Sequence, residues 1–142
     1  MSDCSKMTKE EENGIMMKHY DGELGVFDYD DMQFCCRYGR LLYIGKESDG
    51  FKIKIPEGLK NCTGMFEYCK FLEKAPVIPK GVTVCYAMFH GCESLKEAPV
   101  IPESVEDCDY MFQGCASLKK APVIPDRVER CGYMFSRCTS LE

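Results

Sequence analysis

The sequence predicts a repeat solenoid of the α/β type, in which short strands alternate with short helical turns and an N-terminal β-hairpin caps one end. The first observation is a 23-residue unit, V-x2-C-x2-M-F-x2-C-x-S-L-x2-A-P-V-I-P, which recurs four times in the last 86 residues. The second is that its copies align without a gap. Each unit of such an array buries its apolar face only by stacking on its neighbours, so a fixed period of this length indicates a solenoid.

Residues 1–52 are predicted to form the N-terminal cap. Two runs rich in apolar and aromatic residues, 32–38 and 41–44, flank a tight turn at Gly39 and Arg40. Runs of this composition around a short turn are typical of a β-hairpin. We therefore expect the cap to contain two antiparallel strands.

The array, residues 53–142, is predicted to follow the cap without a linker. Residues 51–55 alternate apolar and charged side chains, which predicts a half-buried strand. The Ile-Pro pair at its end precedes an identical pair, Ile78-Pro79, by one 23-residue period. The array therefore begins inside the cap region, and the cap is expected to cover one end of the array's core.

Within each copy, the cysteine, methionine and phenylalanine positions are predicted to lie on one face of a helical turn. In the second copy these residues have the spacing i, i+3, i+4 and i+7: Cys85, Met88, Phe89 and Cys92. The segment from Leu95 onward is expected to be extended. Pro99 and Pro102 carry no N–H group, so strand pairing is restricted to two or three residues near Leu95.

Eight of the eleven cysteines belong to the repeat, where they form two columns of four. Their C-x6-C spacing differs from the closer cysteine pairs of zinc sites, and cysteine is among the residue types most often buried. We therefore interpret them as core residues and predict no cofactor or metal. The alternative, a thiol-based zinc-binding or redox protein, stays open at this point. The two histidines, His19 and His90, have no catalytic motif around them, so no enzyme is predicted.

The repeat block at residues 108–118, CDYMFQGCASL, resembles the BspA-type leucine-rich repeats. The resemblance covers about residues 53–142 and implies a leucine-rich-repeat-like solenoid that binds proteins and has no catalytic activity. Small standalone proteins of this kind are similar to products of bacteriophages and mobile elements. The resemblance therefore implies, as the most specific function, a phage-encoded inhibitor of a bacterial enzyme or defence complex, of the anti-CRISPR type.

Charge and hydropathy limit the partners and the location. The net charge is −5, and no segment is basic enough for direct nucleic-acid binding. No run approaches the roughly 18 apolar residues of a membrane span, and the N-terminal residues have no apolar run typical of a signal peptide. We therefore expect a cytoplasmic protein, located in a bacterial host cell if it is phage-encoded, that contacts no membrane.

The A-P-V-I-P segments are the predicted protein-binding site. Side chains of an extended segment alternate, so the adjacent valine and isoleucine of each copy cannot both face the core. An exposed apolar row is typical of an interaction site. The prediction places the isoleucines in this row and charged residues at its rim, where they can pair across successive copies: Ile78, Ile101, Ile124, Lys74, Glu97 and Lys120.

The fourth copy stops at Leu141 and Glu142, before its A-P-V-I-P segment. A solenoid usually ends in a polar capping repeat. Two expectations follow. Either the fourth copy exposes a stacking face through which the chain forms a homodimer, or the chain is a fragment of a longer array.

Overall fold

The computed structural model describes residues 26–37 and 40–142. Residues 1–25, which make up about half of the predicted cap and include His19, lie outside this described part, as do Tyr38 and Gly39 of the predicted hairpin turn. None of the helices in the described part has the length and apolar character that a membrane span requires.

Three strands form an antiparallel sheet in the order β1-β2-β3: β1 is Val26–Tyr29, β2 is Met32–Arg37 and β3 is Arg40–Tyr43. The predicted hairpin is confirmed by β2 and β3, which pair directly. β1 is an additional strand that the sequence pattern did not predict. It pairs with β2 across a turn at Asp30 and Asp31, whose φ angles of 48° and 63° lie in a region that aspartate enters more readily than most residues.

The predicted strand at residues 51–55 is wrong, because a short 3-10 helix, Gly50–Lys52, occupies its first part. The helix breaks the period of two, so Phe51 is exposed and does not share the buried side of the segment. Beyond the helix the alternation holds. Ile53 and Ile55 are both buried and pack in the core of the array.

Successive copies of the repeat stack in parallel as rungs. Isolated parallel β-bridges link corresponding residues in two columns: Asn61, Val84, Asp107 and Arg130 in one, and Asp49, Lys74 and Glu97 in the other. Every second N–H group of each turn donates to the next rung. In the second rung the donors are Cys85, Ala87, Phe89 and Gly91, and each acceptor carbonyl lies 22 residues further along at 2.7–2.9 Å. The array is therefore a repeat solenoid, as predicted.

The predicted helical turn is not formed. The N–H groups of Met88, His90 and Cys92 donate to carbonyls three residues earlier at 3.1–3.2 Å, which makes the segment a series of tight turns. Ala87 and Gly91 have φ angles of 52° and 77°. A residue in the left-handed region interrupts a right-handed helix, and here it directs alternate N–H groups toward the next rung. Residues 26–37 and 40–142 contain no α-helix.

A column of stacked aromatic rings runs through the core. Its members in the array lie 5.4–5.8 Å apart with interplanar angles of 2–5°: Phe66, Phe89, Phe112 and Phe135. Tyr43 stands one period before Phe66 and continues the column into β3 at 5.5 Å. Phe34 of β2 contacts Tyr43 at 5.4 Å. The sheet therefore packs on the first rung, and its Phe34 and Tyr43 rings extend the aromatic column.

Candidate interaction surfaces

The cysteines of the second column hydrogen-bond to the preceding rung. The Sγ of Cys92 donates to the carbonyl oxygen of Phe66 at 3.0 Å, and equivalent bonds join Cys115 and Cys138 to the rungs before them at 3.2 and 3.1 Å. The same Phe66 oxygen accepts the N–H of Cys69 at 3.0 Å. A thiol fills a small core position and still donates a weak hydrogen bond, which an alanine does not. These thiols therefore link rungs.

Burial raises the pKa of the stacked thiols. It raises the pKa from the ordinary value of 9.0 to about 12 in four of them: Cys62, Cys69, Cys108 and Cys115. The pKa of Cys85 and Cys92 also lies well above 9.0, chiefly because of burial. Nucleophilic attack and metal binding require the thiolate, which these six groups do not form at neutral pH.

The interpretation of the cysteine columns as core is confirmed for these six residues. Cys131 is an exception, because its side chain is exposed. Within the part of the chain that the structure describes, no group of three or more histidine, cysteine or acidic side chains is placed to hold a metal ion.

The structure corrects the predicted binding row, because valine, not isoleucine, is its outward member. Ile78 and Ile101 are each 4% exposed, whereas Val77, Val100 and Val123 are 69, 86 and 87% exposed. The alternation itself is as predicted, and the larger isoleucine side chain fills the core where its extra methylene is removed from water. Ile124 is 38% exposed, so it is the one isoleucine of the three that reaches the surface as predicted.

Shallow grooves separate the exposed valines. One groove, of about 580 Å³, lies between Val77 and Val100, and a second, of about 620 Å³, lies between Val100 and Val123. Proline and alanine residues line both grooves. At the end near the sheet, Phe51 borders the first groove, with the Nζ of Lys74 4.7 Å from its ring centroid. We call Phe51, Val77, Val100 and Val123 the valine face.

Charged side chains at the rim of the valine face pair across rungs. Of the predicted row, Lys74 and Glu97 form such a pair. The Nζ of Lys74 lies 3.5 Å from a carboxylate oxygen of Glu97. A second pair, Lys96 with Glu73, has the same separation. Lys120 has no ion-pair partner among the described residues. Exposed pairs of this kind contribute roughly 0–1 kcal/mol each to the free energy of unfolding. The stability of the array therefore comes mainly from its core.

A row of tyrosines that was not predicted from the sequence lies on the turns. The rings of Tyr86 and Tyr110 are 5.6 Å apart, and those of Tyr110 and Tyr133 are 5.4 Å apart. Tyr68, in the first rung, packs against His90 at 5.0 Å. We call these four tyrosines the tyrosine face. The available signal was that four of the eight tyrosines occupy the variable positions of the C-x2-M-F-x2-C block.

The side chain of His90 contacts the preceding rung. Its Nδ1 lies 3.0 Å from one carboxylate oxygen of Glu67, and the other oxygen lies 3.4 Å from the Nη1 of Arg40. All three side chains are partly buried. The imidazole therefore has a structural partner in the rung below it.

Neither family models nor curated proteins match this sequence. Among solved structures, it is similar to the pneumococcal vaccine antigen PcpA, with 22% identity over 79% of this chain and a TM-score of 0.57. It is also similar to a leucine-rich repeat protein of T. pallidum, with 20% identity over 78% of this chain and a TM-score of 0.50. The chain spans 28 and 66% of these two structures. The likeness shows the solenoid fold of bacterial leucine-rich repeat proteins.

Proposed function

We propose that the chain is a non-catalytic protein-binding scaffold that contacts its partner through the valine face. The bacterial leucine-rich repeat proteins that share its fold support an interaction scaffold as the general function. The observation that carries the choice of surface is the in-register exposure of Val77, Val100 and Val123 on successive rungs. A contiguous exposed apolar row on a soluble protein marks an interaction surface.

The backbone beneath the valine face is suited to binding with a small loss of conformational entropy. Each valine lies between two prolines whose φ angles are fixed, and the buried Ile78 and Ile101 anchor the first two segments in the core. A surface that is already ordered does not have to be ordered by its partner. The grooves beside Val100 therefore offer rigid sites for two apolar side chains of the partner.

The charges at the rim favour a partner with an acidic group near one end of its apolar patch. Lys74 and Glu97 neutralise each other across their rungs. Lys120 extends the same row without a partner among the described residues. An unpaired surface charge at the edge of an apolar patch raises the association rate of an oppositely charged partner and fixes its orientation.

The most specific form of this proposal is a phage-encoded inhibitor that covers a surface of a bacterial enzyme or defence complex. Its support is the resemblance of the repeat to small standalone proteins of that kind, and a rigid scaffold inhibits by occupying a surface. The proposal includes a cytoplasmic location and a division into a cap, residues 1–52, and an array, residues 53–142. Adding the purified chain to an assay of the captured partner would test inhibition directly.

The binding surface is tested by capture from a bacterial lysate with three immobilised proteins. The first is the natural chain, and the second is the triple variant Val77→Lys, Val100→Lys and Val123→Lys. The third is a control with the same change in net charge at exposed sites that line neither groove of the valine face: Asp28→Asn, Glu93→Gln and Glu129→Gln. A protein retained by the natural chain and the control, but lost by the valine variant, is the expected result. Equal retention by all three folded proteins would refute the valine face as the binding surface.

We also propose that the chain forms a homodimer through its fourth rung. Cys131 and Tyr133 are exposed there, and Phe135 is only partly covered. The N–H groups of these residues correspond to those that bond to the next rung elsewhere, and they have no acceptor among the described residues. Light scattering at micromolar concentration should give twice the chain mass, and Phe135→Glu should restore the monomer. A monomeric mass for the natural chain would contradict this interface.

A further inference from the structure

The tyrosine face lies on a different side of the rung from the valine face. Its four residues belong to the turns between the two cysteine columns. The residues that line the grooves of the valine face all lie outside those turns. The two surfaces can therefore be altered separately.

Three of the four tyrosines occupy backbone positions that disfavour them. Tyr68, Tyr110 and Tyr133 have φ angles of 61°, 59° and 54°, in the left-handed region. The equivalent position in other copies is glycine, at Gly91 for Tyr68 and at Gly64 for Tyr110 and Tyr133. A bulky residue in this region carries a conformational cost that glycine does not carry. The fold requires the left-handed conformation at these positions in every copy but does not require a tyrosine side chain, since glycine, alanine and arginine occupy them elsewhere.

The rings are held in place before any partner arrives. Tyr86, Tyr110 and Tyr133 contact one another in a row that crosses three rungs. Tyr68 lies over Gly91, where a Cβ atom would overlap its ring. Tyrosine presents a large amphipathic surface with few rotatable bonds, so rings already held by their neighbours lose little entropy on binding.

The charge around the central pair of rings is negative. The stretch that contains Tyr110, residues 103–118, has four acidic residues and no lysine or arginine. Asp109 is adjacent to Tyr110 and stands one period after Tyr86. Its Oδ1 accepts the N–H of Gly132 in the fourth rung at 2.6 Å, and its Oδ2 is the oxygen that can pair with a cation of a partner. Arg130 of the fourth rung stands in register with Asp107, toward the Tyr133 end of the row.

We propose that the tyrosine face is a second binding surface, and that it takes an arginine-bearing segment of a protein partner at Tyr86, Tyr110 and Asp109. A guanidinium group is attracted by the negative face of a tyrosine ring and also pairs with a carboxylate. Aromatic residues and arginine are enriched together at the centres of protein interfaces. This surface does not depend on the valine face, so the chain can bridge two partners.

The test uses a blocked six-arginine peptide as the probe, titrated into the full chain by calorimetry. Tyr110→Gly removes the central ring, and we expect it to fold because Gly64 occupies the same position of the first copy. Asp109→Asn removes the carboxylate. Each variant should weaken peptide binding about tenfold. Glu57→Gln, which removes one carboxylate beside the valine-face groove, is the control for net charge and should leave the affinity unchanged.

Three outcomes overturn the proposal. The first is equal peptide affinity for Tyr110→Gly, Glu57→Gln and the natural chain, which would mean that the net charge alone attracts the peptide. The second is an equal loss of affinity in all the variants. The third is saturable binding of a neutral maltohexaose probe in place of the peptide, which would identify the rings as a sugar platform. Circular dichroism of each variant shows that it is folded, so a loss of binding is not a loss of structure.

Discussion

Alkaline pH should unfold this protein through its buried thiols. Burial raises the pKa of Cys62, Cys69, Cys108 and Cys115 from 9.0 to about 12. In the unfolded chain these thiols regain their ordinary pKa and lose their protons above pH 9. Because the folded pKa is the higher one, their contribution to stability is complete below about pH 8 and is lost as the pH rises from 9 toward 12.

The loss is large compared with the stability of a domain. A thiol with a pKa of 9 when unfolded and about 12 when folded lowers the free energy of unfolding by about 1.4 kcal/mol at pH 10. The four thiols together lower it by about 6 kcal/mol, against a typical total of 5–15 kcal/mol. Cys85 and Cys92, whose pKa is also raised, add to this loss.

The assay is urea unfolding followed by circular dichroism between pH 7 and pH 10, with a reductant present throughout. Cys115→Ala should reduce the fall in unfolding free energy between pH 8 and pH 10 by about 1.4 kcal/mol. The comparison is made within each variant, so the cost of the substitution at neutral pH cancels. Cys131→Ala, at an exposed thiol, should leave the fall unchanged. An unfolding free energy that stays constant from pH 8 to pH 10 would refute the burial of the thiol columns.

Three further predictions follow from burial. Val100→Lys should change the free energy of unfolding by no more than about 0.5 kcal/mol, whereas Ile101→Lys should lower it by more than about 3 kcal/mol because it places a charge in the core. Equal losses in urea unfolding would contradict the outward orientation of valine and the inward orientation of isoleucine. Phe89→Ala should lower the free energy of unfolding by about 3–5 kcal/mol. Phe135→Ala should lower it by about half as much, because Phe135 has one stacked neighbour fewer. The reverse order would show that the stacked rings are not the main stabilising contacts of the core. Brief iodoacetamide treatment of the Phe135→Glu variant, in which the proposed fourth-rung interface is broken, should modify Cys131 before any buried repeat thiol. Uniform labelling, measured by mass spectrometry, would count against the thiol columns.

The sequence was sufficient to predict the solenoid and most of its core, because the repeat fixes which residues stack. Cys85, Met88, Phe89 and Cys92 are all buried, as their spacing indicated. The same spacing led to the incorrect helix, since consecutive tight turns also bring residues three and four apart to one side. Hydrophobic periodicity carries no information about the sign of φ. A glycine would have indicated the left-handed conformation, but the second copy has Ala87 at that position.

The binding row shows a second limit of sequence reasoning. Alternation requires that one residue of each valine–isoleucine pair leave the core, but it does not decide which one. That choice depends on the volume available beneath the segment, which is a property of the assembled rungs. The tyrosine face was missed for a related reason. Its residues fall at variable positions, and only the stacked structure brings Tyr86, Tyr110 and Tyr133 into one row.

The hydrogen bonds between rungs have a consequence for how such a protein can change in length. The alternate N–H groups of the turns donate to carbonyls 22 positions further along, whereas the N–H groups of Thr83, Lys96 and Glu106 donate to carbonyls 23 positions earlier. Each turn repeats after 23 positions. Insertion or deletion of a whole 23-residue unit therefore leaves all remaining bonds with equivalent partners. N–H groups that bond to the next rung alternate along each turn with N–H groups that bond within it. Insertion of a single residue in a turn shifts this alternation by one position, so the two sets change roles beyond the insertion. Recombination between copies can lengthen or shorten the valine and tyrosine faces together, one rung at a time, so the number of copies sets the size of partner that the chain can cover.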